Sequence, residues 1–186
     1  YQFVDGSETT SYVAFYNFGD VGQSEDDRIV SGYTYDGVVI PQIMYLDGDR
    51  SAAIRDDGFT LYKGSQIPKE VETIKVDKEI VSTFYDDNII GLVFKNGDKD
   101  KPYTMRGYST DGRLKFEKKF NIPYTTIKAS GGNILLYNSS QISVMNNRGV
   151  EKYSGTVDGT ISNFIKTGWN RYLLVLDNGV DVIKLS

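Results

Sequence analysis

The stretch VSTFYDDNIIGLVFKNGDKDKPYTMRGYSTDGRLKFEKKF, Val81 to Phe120, decides the fold. It divides into four short runs rich in Val, Ile, Phe, Tyr and Thr: VSTFYDDN, IIGLVF, YTMRGYS and LKFEKKF. Between them lie Asp-Asp-Asn, Asn-Gly-Asp and Thr-Asp-Gly, residues that tolerate the positive φ of tight turns. Short β-prone runs bounded by such turns predict four strands, each pairing antiparallel with the next.

The same unit recurs along the chain. Its second strand begins at Ser51 (SAAI), Ile89 (IIGLVF), Ile134 (ILLY) and Tyr172 (YLLVL), at spacings of 38, 45 and 38 residues. A strand and a polar turn precede each, as in PQIMYLDGD, TTIKASGGN and SNFIKTGWN. A third strand follows (FTLY, YTMRGYS, ISVMN, VDVIKLS), and then a fourth where the chain continues (VETIKV, LKFEKKF, EKYSGTV). The turns Arg55–Phe59, Lys95–Asp98, Ser109–Arg113, Asn146–Val150 and Leu176–Val180 all fit hairpins. Four antiparallel strands every ~40–45 residues mark a β-propeller blade, whose sheet is covered on both faces by its neighbours. That cover explains why IIGLVF and YLLVL are apolar in both directions.

The expected fold is therefore all-β, one propeller-like repeat domain over residues 1–186. Its repeats are expected at 1–37 (partial), 38–79, 80–123, 124–159 and 160–186 (partial), giving three full and two partial blades. The first 37 residues fit only three strands, and the last group ends without its fourth. The expectation is a fragment of a larger propeller, or an incomplete one that self-associates. Between residues 67 and 80, Ile67, Val71, Ile74 and Lys78 also fall at helical spacing after Pro68, but the surrounding pattern favours a loop followed by a strand.

Composition excludes several chemistries. The 186 residues contain no Cys, so no disulfide, thiol nucleophile or thiolate zinc site exists. They contain no His, so neither a Ser-His-Asp triad nor a histidine zinc site can be built. With 21 basic and 25 acidic residues spread along the chain and a net charge of −4, nothing resembles a basic stripe, and no nucleic-acid partner is expected. No apolar run approaches the roughly 18 residues of a membrane span. Gly19–Ser24 (GDVGQS) lacks the Lys and spacing of a phosphate-binding loop, and Ser24–Asp27 (SEDD) reads as a solvated loop.

Three sets of residues invite a functional reading. Asn96, Asp98 and Asp100 alternate as oxygen ligands do in a calcium loop. Counted from Asn96, however, the sixth position is Lys101 rather than Gly and the twelfth is Gly107 rather than an acid, so no metal site is expected. The pairs Asp26–Asp27, Asp56–Asp57 and Asp86–Asp87 have the chemistry of glycoside hydrolysis, yet all sit in or near turns where Asp serves the backbone. No catalytic residue and no cofactor are assigned. Trp169, the only Trp, lies in the turn KTGWN; it is the candidate ligand-binding residue, although packing against an adjacent blade is favoured. Alternation sends Phe15 and Tyr16 of FYNFG to opposite faces, and these two and Phe18 are expected in the core rather than on a ligand platform.

Two resemblances follow from these residues. GYSTDGRLKFEKKF (Gly107–Phe120) resembles the strand-turn-strand of quinoprotein-like propeller repeats, with Phe116 where those repeats often carry Trp; no quinone binding is carried over. Ser109–Gly112 departs from the sialidase-type Ser-x-Asp-x-Gly turn, since Gly112 directly follows Asp111. FYNFGDVGQ (Phe15–Gln23), with the RIVSGYTYDGVVIPQIMYLDGD that comes after it, resembles an uncharacterised family of bacterial propeller-like proteins that are membrane-anchored at the N-terminus. The resemblance implies an extracytoplasmic, cell-surface location and a further N-terminal portion, and no activity. The resulting expectation is a non-enzymatic binding or scaffolding module for a protein or glycan ligand. A carbohydrate-active domain, binding or hydrolysing glycans through turn carboxylates, is the alternative.

Overall fold

The computed structural model describes residues 2–5, 8–17, 19, 24, 28–86 and 88–185. Phe18, most of the Gly19–Ser24 loop, Asp26, Asp27 and Asp87 lie outside them. Eighteen strands and no α-helix occur among the described residues. No helix there is long and apolar enough to cross a membrane.

The strands form five antiparallel meanders. β1 (Gln2–Asp5), β2 (Glu8–Tyr16) and β3 (Ile29–Asp36) make a three-stranded sheet. Three four-stranded sheets follow in sequence order. The first holds β4 (Gln42–Tyr45), β5 (Arg50–Arg55), β6 (Gly58–Lys63) and β7 (Lys69–Lys75). The second holds β8 (Ile80–Asp86), β9 (Ile89–Lys95), β10 (Tyr103–Tyr108) and β11 (Leu114–Phe120). The third holds β12 (Thr126–Ser130), β13 (Asn133–Tyr137), β14 (Gln141–Asn146) and β15 (Glu151–Thr156). A last sheet of three has β16 (Ile161–Gly168), β17 (Arg171–Leu176) and β18 (Gly179–Lys184). The three full and two partial groups read from the sequence are thus the observed sheets. The ambiguous segment after Pro68 is strand β7, with no helical turn.

Burial follows strand position. Second and third strands of the full sheets are buried on both faces, while the fourth strands β7, β11 and β15 are mostly exposed. The third and fourth strands of every full sheet also share an irregularity, at Leu61/Tyr62, Gly107/Tyr108 and Val144/Met145. Such bulges sharpen the local twist.

The chain forms two compact units, residues 1–80 with 110–112 and residues 81–109 with 113–186. In the first, Val13, Ala53 and Tyr62 pack with Phe15, Tyr33, Tyr35 and Ile40. In the second, strand alternation on β13 divides the core. Ile134 and Leu136 join Phe84, Met105 and Phe120 in one cluster, and Leu135 and Tyr137 join Phe164, Tyr172 and Leu174 in another. The central sheet is therefore covered on both faces, which accounts for its runs of uninterrupted apolar residues.

Phe116 shows why glycine recurs beside aromatics. It lies directly opposite Gly107 on β10, where a Cβ would strike its ring. The same ring overlies Gly149, at φ +74°, where a Cβ would come within 2.6 Å. One aromatic side chain thus covers the backbone of two neighbouring sheets.

Candidate functional site

The first unit carries an open cleft of about 720 Å³. Its walls come from three places: the end of β2 (Phe15, Tyr16, Asn17), the β4–β5 turn (Tyr45 to Ser51), and the β6–β7 connection (Gly64 to Pro68). Backbone bonds hold these turns in place. Leu46 donates to the Arg50 carbonyl at 3.0 Å, and Gly64 to the Asp49 carbonyl at 2.8 Å. Gly64 sits at φ +138°, where a Cβ would lie 2.6 Å from the Ile67 carbonyl oxygen, so the bend needs glycine. The Pro68 carbonyl accepts from Ser31 Oγ at 2.9 Å and from the Tyr33 hydroxyl at 2.8 Å, tying this wall to β3.

Tyr45 is the most open aromatic of the cleft. On β4, Met44 is fully buried and Tyr45 is 77% exposed, as alternation requires. Tyr16, 37% exposed, also lines the cleft, which corrects its assignment to the core. Phe15 keeps its place, packing edge-on to Tyr62 with centroids 5.0 Å apart. The Arg50 guanidinium is steadied by donating to Thr110 Oγ1 at 3.1 Å. Asp49 is the single carboxylate among the described lining residues.

Beneath this wall runs a hydroxyl network. Tyr62 and Tyr35 share a short hydrogen bond, Tyr35 donates to Glu70 Oε2 at 2.9 Å, and Thr73 donates to Glu70 Oε1 at 3.0 Å. The Arg55 guanidinium lies 5.4 Å from the Tyr35 ring centroid and grips Asp57 through Nε and Nη2, at 2.6 and 2.9 Å. Burial pushes the Tyr35 phenol up to about 12, with Glu70 adding to the rise while the Tyr62 bond opposes it. Burial and the bond to Tyr35 also raise the Tyr62 phenol. Bonding to Arg55 is the main cause lowering Asp57 below the usual carboxylate range. These groups are mutually satisfied, so the network stiffens the unit rather than offering a reactive group.

Of the described carboxylates singled out in the sequence, Asp56 and Asp86 serve the backbone and Asp57 an ion pair. Asp56 Oδ1 accepts from the Val39 N–H at 3.2 Å. Asp57 is held by Arg55, with Lys75 at 3.9 Å. Asp86 accepts from the N–H groups of Asn88 (2.9 Å) and Gly132 (3.2 Å). In the Asn96–Pro102 loop, Asn96 Oδ1 accepts from Asp98 N–H at 2.9 Å, and Asp98 Oδ1 from Asp100 and Lys101 at 3.0 and 3.2 Å. The alternation that resembles a calcium loop is a ladder of Asx turns.

Trp169 departs from the favoured reading. It is 93% exposed rather than packed on a neighbouring blade. The turn Gly168–Trp169–Asn170, with Asn170 at φ +49°, carries the indole past the end of the sheet. Charge is also less evenly spread than the linear sequence suggests. The first unit holds 7 basic and 16 acidic residues, a net −9; the second holds 14 basic and 9 acidic, a net +5.

Over residues 1–185 the sequence matches a family of unknown function, DUF5711. The chain belongs to that family. No curated protein matches its sequence. Among solved structures, it is similar to Sqt1 of Saccharomyces cerevisiae (TM-score 0.60, 13% identity, 96% of this chain and 56% of that one). It is similar to BBS1N, solved in complex with ARL6DN (TM-score 0.55, 14% identity, 85% and 55%). A third similar structure is BamB from Moraxella catarrhalis (TM-score 0.51, 11% identity, 79% and 49%). These are propeller proteins, and at such identities the likeness concerns the fold. The chain spans about half the length of each.

Proposed function

We propose that the chain is a non-enzymatic binding or scaffolding module, with the cleft of its first unit as a ligand site. One observation carries this reading: the cleft presents the open Tyr45 ring, Tyr16 and Arg50 beside a single described carboxylate, Asp49. Glycoside hydrolysis needs two carboxyl groups about 5–10 Å apart. Recognition needs only a ring to stack on and a few fixed polar groups. The glycan-binding form of the carbohydrate alternative is favoured by Tyr45, whose face is free to stack on a sugar ring. A protein ligand has support in the BBS1N structure, a propeller solved with a protein partner. An extracytoplasmic setting rests on the likeness to membrane-anchored bacterial propellers.

The test is a titration of the chain with neutral and amino-sugar oligosaccharides and with a peptide library, followed by amide chemical shifts. Shifts confined to the Tyr45–Ser51 and Gly64–Pro68 segments are expected, with binding weakened about tenfold in Tyr45→Ala. Release of new reducing ends from any oligosaccharide would restore the hydrolase reading.

A further inference from the structure

The second unit carries a cationic face built around Trp169. In each of its sheets the first-to-second strand turn, and the third-to-fourth where present, lie at one end, because the strands alternate in direction. Hydrogen bonds make these ends continuous. Gly132 N–H donates to Asp86 Oδ2 at 3.2 Å, and Lys166 Nζ to the Gly131 carbonyl at 2.5 Å, joining three successive sheets. At this end lie Lys115, Arg148, Lys152, Lys166, Arg171 and Lys184, five of them exposed and Lys166 half-buried. The described carboxylates there are Asp86, which accepts two backbone N–H groups, Glu151, which accepts from Ser143 Oγ at 3.4 Å, and the exposed Asp111 of the β10–β11 turn. Among the described residues, none of the six cations is in an ion pair.

Two features show that folding alone does not account for this arrangement. Arg171 and Lys184 are direct cross-strand partners on β17 and β18, and like charges placed opposite each other destabilise a sheet. Beside them an indole stands almost wholly in water, which no packing requirement explains. Both are costs to the free protein that a negatively charged partner would offset.

We propose that this end of the second unit docks on an anionic lipid bilayer, with Trp169 entering the headgroup region and the surrounding cations facing the lipid charges. The shape selects a planar surface over a small ligand, because the indole sits on a protruding tip open on nearly every side. Trp is favoured at membrane interfaces, and each Lys or Arg near an anionic leaflet contributes about fivefold in affinity.

The sole Trp makes the test specific. The full chain is pelleted with vesicles of phosphatidylcholine alone, and with vesicles containing about a third phosphatidylglycerol. Binding is expected only to the latter, with a blue shift of Trp fluorescence, quenching by brominated lipid, and loss in about 0.5 M salt. Trp169→Ala is expected to weaken binding about tenfold with no change in thermal stability. Lys184→Gln is expected to weaken it about fivefold while slightly raising the melting temperature, since it relieves the pair with Arg171. Failure to bind anionic vesicles would overturn the proposal. So would binding indifferent to both substitutions, or binding without quenching of Trp169. Retention on poly-glutamate beads without vesicle binding would also overturn it and assign the face to an acidic protein.

Discussion

Tyr35 and Tyr62 illustrate what a single buried hydroxyl contributes. Each phenol is desolvated, and neighbours add to holding each neutral: Glu70 for Tyr35, and for Tyr62 the bond to Tyr35 ahead of Glu70. Burial raises Tyr108, Tyr124 and Tyr172 as well. In the unfolded chain these phenols titrate near 10. Above that pH the native state therefore holds more protons than the unfolded one, and stability falls as pH rises, through about 12 for Tyr35. Urea denaturation at successive pH values from 8 upward should show this decline beginning near pH 10. Tyr62→Phe should cost about 1 kcal/mol at pH 8 and make the alkaline decline shallower. An unchanged slope would remove Tyr62 from the alkaline account. None of this network was legible beforehand. Tyr33 and Tyr35 alternate plainly on β3, but their partners Tyr62 and Glu70 arrive from β6 and β7 of the next sheet, and no local pattern announces that meeting.

At the scale of the element, the turns repeat one device. An Asn or Asp side chain accepts the N–H two residues ahead at Asn17, Asp86, Asn96, Asp98, Asn138 and Asn146. The Asn96–Pro102 loop uses it twice in succession, and a backbone bond of 2.9 Å from Asn96 N–H to the Pro102 carbonyl closes it. Asp98→Ala should remove the acceptor for Asp100 and Lys101 and cost at most about 1 kcal/mol, because both N–H groups are solvent-accessible. Millimolar calcium should leave the melting temperature of the unaltered protein where it was; a rise abolished by Asp98→Ala would reinstate a metal site. The strands were readable because alternation and turn residues are local properties, so β5, β9, β13 and β17 emerge where SAAI, IIGLVF, ILLY and YLLVL stand. Ligand and Asx-turn patterns could not be told apart so easily, since both place an oxygen at every second residue. Trp169 was misjudged for a different reason: whether a turn residue is covered depends on how far its hairpin projects. The cleft was hidden because Tyr16, Tyr45, Arg50 and Pro68 belong to separate segments, and the cationic face because its members are scattered from Lys115 to Lys184.

Across the whole molecule, stability should be distributed in the manner of a repeat protein, in which each sheet depends on its immediate neighbours. The third strands make the point. β6, β10 and β14 are largely buried, whereas β18 is exposed along most of its length, with Val180 at 58% and Val182 at 47%. The backbone hydrogen bonds of β18 to β17 are consequently the least shielded of the four equivalent pairings. Amide hydrogen exchange on the native chain should rank protection accordingly, with β9 and β13 slowest and β18 faster than β6, β10 or β14. A core substitution then tests how far disturbance travels. Tyr172 is fully buried in the cluster that joins the last two sheets, so Tyr172→Ala should cost about 3–5 kcal/mol locally. Its effect on exchange should be greatest in β16 to β18, smaller in β12 to β15, and weakest in β4 to β7, which share no core cluster with it. Equal acceleration in all five sheets would mean that the two units unfold as one cooperative block, and that the nearest-neighbour account of this chain is wrong.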